Sequence, residues 1–145
     1  MCLTIVIPSK NRPSLLRRSI QFWAKYDFNV VIVDGSDISQ EDWVKPFLTE
    51  KFLYIHKKSS FPVQLGLAAD HISTKYCTLV ADDGFLMPSS LKLSVDFLER
   101  NLDFVAVNGM GIQSKSNKEN IGWGIVKPEW LGRKLILENA GERMI

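Results

Sequence analysis

The run Asn29–Asp34 constrains the fold more than any other feature of the sequence. Its centre, Val30–Val33, has four consecutive apolar residues and no polar face. A strand needs this pattern when helices cover both sides of its sheet, as in parallel sheets. Leu3–Ile7 and Tyr76–Ala81 are two further apolar runs of strand length. The sequence therefore predicts a sheet whose central strands are parallel and buried.

Helical patterns separate these runs. Leu16, Ile20 and Trp23 stand at i, i+4 and i+7, which predicts an amphipathic helix that begins near Ser14. Because strands alternate with helices along the chain, the predicted fold class is α/β, a sandwich of helices around a mostly parallel central sheet. The remaining predicted elements are helices at Glu41–Thr49, at Pro62–Ile72 and from Pro88, and strands at Phe52–Ile55 and Phe104–Val107.

The periodicity ends after the predicted strand Phe104–Val107. Glycines and a charged stretch, Lys115–Glu119, follow it. We therefore expect residues 1–108 to form an α/β core and residues 109–145 an irregular tail. A chain of 145 residues is long enough for one domain with a buried core.

Composition excludes some classes of function. The net charge of +2 is too small to indicate a nucleic-acid partner. The apolar runs fall far short of the roughly 20 residues that a spanning helix needs, so we expect no transmembrane segment. The amino terminus has no basic leader, which makes a cytoplasmic location the expectation. The phosphate-binding loop of nucleotide hydrolases and the glycine fingerprint of dinucleotide-binding proteins are both missing from the sequence.

Polar residues follow three of the predicted strands. These are Lys10–Arg12, Asp34–Asp37 and the pair Asp82 and Asp83. Ligands of open α/β sheets bind outside the carboxyl ends of the strands. We therefore expect the three loops to outline one crevice suited to a nucleoside diphosphate.

Asp82 and Asp83 are the candidate metal ligands. Adjacent carboxylates repel each other, and a divalent Mg²⁺ or Mn²⁺ ion can join them while phosphates and water complete its coordination. Each residue also has a simpler interpretation when taken alone. The sequence Asp-Asp-Gly is common in solvated turns, Arg12 suits a solvated helix start, and Asp34 suits a turn.

Three segments together resemble the family 2 glycosyltransferases. They are Leu3–Pro13, Val30–Ser36 and Tyr76–Asp83, in an order and spacing typical of that family, with Pro88 soon after. The resemblance implies a fold of the GT-A type. It also implies a nucleoside-diphosphate sugar as donor, and a saccharide or other hydroxyl compound as acceptor.

The resemblance assigns expected roles to residues. Asp34 would contact the nucleotide base, and Asp82 and Asp83 would reach ribose, metal and diphosphate. The loop Pro8–Arg12 would border the nucleotide. The expected nucleotide-binding set is Pro8, Lys10, Asn11, Arg12, Asp34 and Asp82, and the expected metal ligands are Asp83 and Asp82.

In this family the sugar is displaced with inversion, while a carboxylate takes the acceptor proton and a metal stabilises the departing diphosphate. The sequence identifies no catalytic base, because no carboxylate after residue 108 lies in a recognisable motif. The candidates there are Glu129, Glu138 and Glu142.

Two features depart from the family pattern. Gly84 stands where a third carboxylate is expected. We also expect residues 109–145 to be only the start of an acceptor region, or its remnant, rather than the acceptor half of a complete enzyme. A nucleotide-binding or interaction module without turnover is therefore the alternative function. Trp123 and Trp130 suit either an acceptor platform or simple packing.

Overall fold

The computed structural model describes residues 2–109, 111–116 and 121–126. The chain divides into two compact units, Met1–Ala106 and Val107–Ile145, and each is considered by itself. Unit 1 contains a four-stranded sheet. Its strands are β1 (Leu3–Ser9), β2 (Asn29–Asp34), β3 (Phe52–His56) and β4 (Tyr76–Leu79).

The sheet of unit 1 is parallel throughout, with the strand order β3-β2-β1-β4. Every residue of β1 is buried, and so is β2 from Val30 onward. Ser9 pairs with Asp34 at the carboxyl ends of these two central strands. The loops that follow β1 and β2 therefore leave the sheet side by side.

Helices cover both faces of this sheet. They are α1 (Pro13–Trp23), α2 (Glu41–Val44), which continues as a 3₁₀ turn over Lys45–Phe47, α3 (Phe61–Ala69) and α4 (Pro88–Arg100). Leu16, Ile20 and Trp23 of α1 are buried, as their helical spacing predicts. Proline stands in the first turn of α1, α3 and α4, where its missing N–H leaves no hydrogen bond unmade.

Two hydrophobic clusters hold the layers together. On one face, Ile5, Ile7 and Ile32 of the sheet belong to the cluster that includes the buried apolar residues of α1, Val44 of α2 and Leu91 of α4. On the other face the cluster is formed by Val6, Val31, Val33 and Ala68 of α3. Successive residues of β1 and β2 thus point to opposite faces, and both faces are apolar. The prediction of a GT-A-like α/β sandwich with a parallel central sheet is confirmed.

The predicted fifth strand at Phe104–Val107 is wrong. This segment forms no strand pairing in the described structure, and Val105 is 75% exposed. Phe104 instead donates its N–H to the carbonyl of Asn101 and packs its ring on Phe97. The apolar pattern indicated a preference for burial, but a strand also needs an adjacent backbone edge with which to pair.

The strand predicted to reach Ala81 also ends earlier. β4 stops at Leu79, and Val80 adds one further hydrogen bond, to the carbonyl of Val6. β4 lies at the edge of the sheet, and its Cys77 and Leu79 side chains are exposed. An edge strand pairs on one side, which allows the chain to leave the sheet sooner.

Unit 2 contains a hairpin that was not predicted. Strands β5 (Gly111–Ser116) and β6 (Ile121–Val126) pair in antiparallel fashion, with Ser116 opposite Ile121. Glycines are typical of loops, so the pattern of this region did not indicate strands. No helix in the part of the chain that the structure describes is long and apolar enough to cross a membrane.

Candidate functional site

Ser9 joins three segments at the carboxyl end of the sheet. Its hydroxyl donates to Oδ2 of Asp82 at 2.6 Å. Its carbonyl accepts hydrogen bonds from the N–H of Gly35 at 2.8 Å and from Nε2 of Gln64 at 2.7 Å. Ser9 is buried, so these bonds are shielded from water. The ends of β1 and β2, the start of α3 and the aspartate pair are thereby fixed together.

Asn11 links the loop after β1 to the loop after β2. Its φ of 54° lies in the left-handed region, which asparagine tolerates better than most residues. Its backbone N–H donates to the hydroxyl of Ser36 at 2.7 Å. Its side chain donates to Asp37 at 3.1 Å and accepts from the Asp37 N–H at 3.0 Å. Lys58 pairs with Asp37 at 2.6 Å, and the hydrogen bonds from Lys58 and Asn11 lower the pKa of Asp37.

Asp34 is fully buried, and both of its carboxylate oxygens have partners. Oδ1 accepts from the N–H of Ser36 at 2.9 Å, and Oδ2 accepts from the Tyr54 hydroxyl at 2.7 Å. Burial, followed by this hydrogen bond to Asp34, raises the pKa of Tyr54 to about 12. Asp34 therefore holds the loop after β2 in place. Its expected contact with a nucleotide base stays a prediction.

Arg12 pairs with both members of the aspartate pair. Its Nη2 atom lies 2.6 Å from Oδ1 of Asp82, and its Nη1 atom lies 3.2 Å from Oδ2 of Asp83. Oδ1 of Asp82 accepts no hydrogen bond of regular geometry from the described residues, so its contact with Arg12 is an ion pair. A single guanidinium thus bridges two adjacent carboxylates.

The two aspartates differ in exposure. The side chain of Asp82 is 0% exposed, whereas that of Asp83 is 53% exposed. Arg18 donates to the backbone carbonyl of Asp83 at 3.4 Å, and its guanidinium lies 5.0 Å from the centre of the Phe85 ring. The side chain of Asp82 is therefore buried in the protein interior, whereas that of Asp83 faces solvent.

A cleft of about 400 Å³ opens beside these residues. It is lined by Pro8, Ser9, Lys10, Asn11, Arg12, Phe61, Gln64 and Ala81. Four of the six predicted nucleotide-binding residues line it, namely Pro8, Lys10, Asn11 and Arg12. The other two, Asp34 and Asp82, are fully buried and do not line it.

Four lining residues of the cleft were not among the predicted site residues, namely Ser9, Phe61, Gln64 and Ala81. Ser9 lies within the predicted loop but was not singled out. Phe61 and Gln64 belong to the first turn of α3. The available signal was the position of α3 directly after β3, since the first turn of such a helix lies near the carboxyl end of a parallel sheet.

The aspartate pair does not fit a metal in the observed arrangement. Both oxygens of Asp82 are engaged, by Ser9 and by Arg12, and the side chain has no exposed surface. Among the described residues, no three or more His, Cys, Asp or Glu side chains are grouped so that they could hold a metal ion.

The carboxylates of Glu129, Glu138 and Glu142 lie outside the described residues, as do the side chains of Trp123 and Trp130.

The fold and the site define a class of protein: an α/β domain with a polar cleft at the carboxyl ends of its parallel strands. The sequence model described as Glycosyl transferase family 2 matches residues 4–142. The chain therefore belongs to glycosyl transferase family 2, whose enzymes commonly use divalent metals. A search of curated proteins gives no match to the chain.

Proposed function

We propose that this chain binds a nucleoside-diphosphate sugar and takes part in transferring the sugar to a hydroxyl acceptor with inversion. The observation that carries the proposal is the cleft of about 400 Å³ at the carboxyl ends of the strands. Its size falls within the range of small-molecule sites. Membership of the glycosyl transferase family supplies the class of reaction.

The cleft has groups suited to each part of a nucleotide. Lys10 and Arg12 provide positive charge for phosphates, and the ring of Phe61 provides an apolar surface. The amide of Gln64 is held by the carbonyl of Ser9, and Asn11 is fixed by Asp37. A site in which polar groups are already positioned loses less entropy when it binds a ligand.

Calorimetry with UDP, GDP and their common sugar conjugates tests the donor site. We expect at least one nucleotide to bind the wild-type chain. An Asp82→Asn, Asp83→Asn variant should bind it about ten-fold or more weakly, because these carboxylates orient Arg12. Asp96→Asn is the matched control, since this exposed aspartate lies on α4. If no nucleotide binds the folded wild-type chain, with or without manganese, the proposal is wrong.

The prediction that Mn²⁺ or Mg²⁺ binds at Asp82 and Asp83 stays a prediction. The same titrations, carried out once with manganese and once with a chelator, measure whether nucleotide binding depends on a metal.

A non-catalytic module of the same fold is the second candidate function. The presence of Gly84 in place of a third carboxylate favours it. The two functions differ in turnover, because a transferase releases nucleoside diphosphate from the bound donor when an acceptor is supplied. A module without turnover binds the nucleotide and leaves the donor intact.

A further inference from the structure

The guanidinium of Arg12 lies where a metal ion was expected, between the carboxylates of Asp82 and Asp83. We propose that Arg12 binds the donor diphosphate and that the two aspartates position Arg12 rather than coordinate a metal. Nucleotide binding then does not depend on a divalent ion. This inference rests on the proposed donor site and concerns which cation serves it.

Arg12 provides the counter-charge for the buried carboxylate of Asp82. Asp82 has no exposed surface, and removal of a carboxylate from water is costly unless a cation pairs with it. Arg12 provides that cation at 2.6 Å. A divalent ion at the same carboxylates would have to displace the guanidinium, because two cations cannot share one position without strong repulsion.

Arg12 has more N–H donors than its two carboxylate contacts use. A guanidinium carries five N–H donors in a rigid plane. One oxygen of Asp82 contacts Nη2, and one oxygen of Asp83 contacts Nη1. The Arg12 side chain is still 44% exposed, and Arg12 lines the cleft. Its remaining N–H groups are therefore available to phosphate oxygens, which arginine recognises well.

Both aspartates accept hydrogen bonds from other residues of the site. Ser9 donates to Asp82 at 2.6 Å, and the backbone of Asp83 accepts from Arg18. Arg18 in turn lies over the ring of Phe85. The orientation of the Arg12 plane is thus set before any ligand arrives, which is the arrangement expected of a positioned anion-binding group.

Calorimetric titration of UDP and GDP tests this inference. We expect the wild-type chain to bind at least one of the two with the same affinity, within about two-fold, in EDTA and in manganese. Arg12→Gln should weaken that binding by about ten- to a hundred-fold, since it removes charged hydrogen bonds to phosphate. Arg17→Gln is the matched control. Arg17 lies on α1, the helix that begins directly after Arg12, but its guanidinium lies over the Trp43 ring.

Arg12→Gln leaves Asp82 buried without a cation, which threatens folding. The double variant Arg12→Gln, Asp82→Asn removes both charges and avoids that difficulty. It should fold, as judged by circular dichroism. It should still bind UDP or GDP about ten- to a hundred-fold more weakly than the wild-type chain. Arg12→Lys keeps the charge but loses the planar fork, so its affinity should lie between those of the wild type and Arg12→Gln.

Two failures can be told apart. If UDP or GDP binds only when manganese is present, and Arg12→Gln binds as tightly as the wild type, the inference about Arg12 is overturned while the donor site stands. If neither nucleotide binds the folded wild-type chain in any condition, the donor site itself is wrong and the inference falls with it.

Discussion

Gly35 shows how closely the backbone segments approach one another at the site. A Cβ atom built at this position would meet Nε2 of Gln64 and would lie 2.8 Å from the carbonyl oxygen of Ser59. Gln64 is buried and cannot move away without breaking its hydrogen bond to Ser9. A glycine is therefore needed here for steric reasons.

We expect Gly35→Ala to lower the free energy of unfolding by about 1–3 kcal/mol, the usual cost of overpacking. Gly66→Ala is the matched control. Gly66 lies inside α3, and a Cβ there would have no atom within 4 Å. That substitution should raise stability by about 0.5–1 kcal/mol, because alanine favours the helix. Urea denaturation of both variants measures the difference, and equal effects would contradict the steric argument.

At this scale the sequence indicated which residues gather but not how they pair. Lys10, Asn11 and Arg12 were expected beside the cleft because polar residues follow a buried strand. That Arg12 bridges Asp82 and Asp83 could not be predicted, because these residues are about 70 positions apart in the chain. Side-chain pairs across such distances depend on the packing of the loops, which periodicity does not report.

At the scale of elements, hydrophobic spacing predicted what packing then required. Leu91, Val95 and Leu98 of α4 are buried, with the i, i+4, i+7 spacing that the sequence displays. The same reasoning failed for Phe104–Val107, since apolar residues alone do not provide a pairing partner. It also missed the β5–β6 hairpin, because glycines within strands resemble loop residues.

The amphipathic packing of α4 gives a test at this scale. Leu91 is 8% exposed and belongs to the core, whereas Leu93 is 69% exposed. We expect Leu91→Ala to cost about 2–4 kcal/mol of unfolding free energy through lost burial and a residual cavity. Leu93→Ala should change it by less than about 0.5 kcal/mol. Thermal or urea unfolding compares them, and similar losses would mean that α4 packs differently.

At the scale of the molecule, the two ends of the sheet in unit 1 are unlike. The carboxyl end has the 400 Å³ cleft with Lys10 and Arg12 on its wall. The amino end has a smaller cleft of about 220 Å³ that includes Thr4, Lys51 and His71. The doubly apolar strands indicate a parallel sheet, and the sequence therefore predicts a candidate site at its carboxyl end.

We therefore expect a nucleoside diphosphate to bind at the carboxyl end of the sheet. Titration of ¹⁵N-labelled protein with UDP and with GDP, followed by amide chemical shifts, tests it most directly. We predict that the largest shifts fall on Ser9–Arg12 and Ala81–Gly84, with small changes at Thr4, Lys51 and His71. Shifts concentrated at the amino-end cleft, or no shifts with either nucleotide, would contradict it.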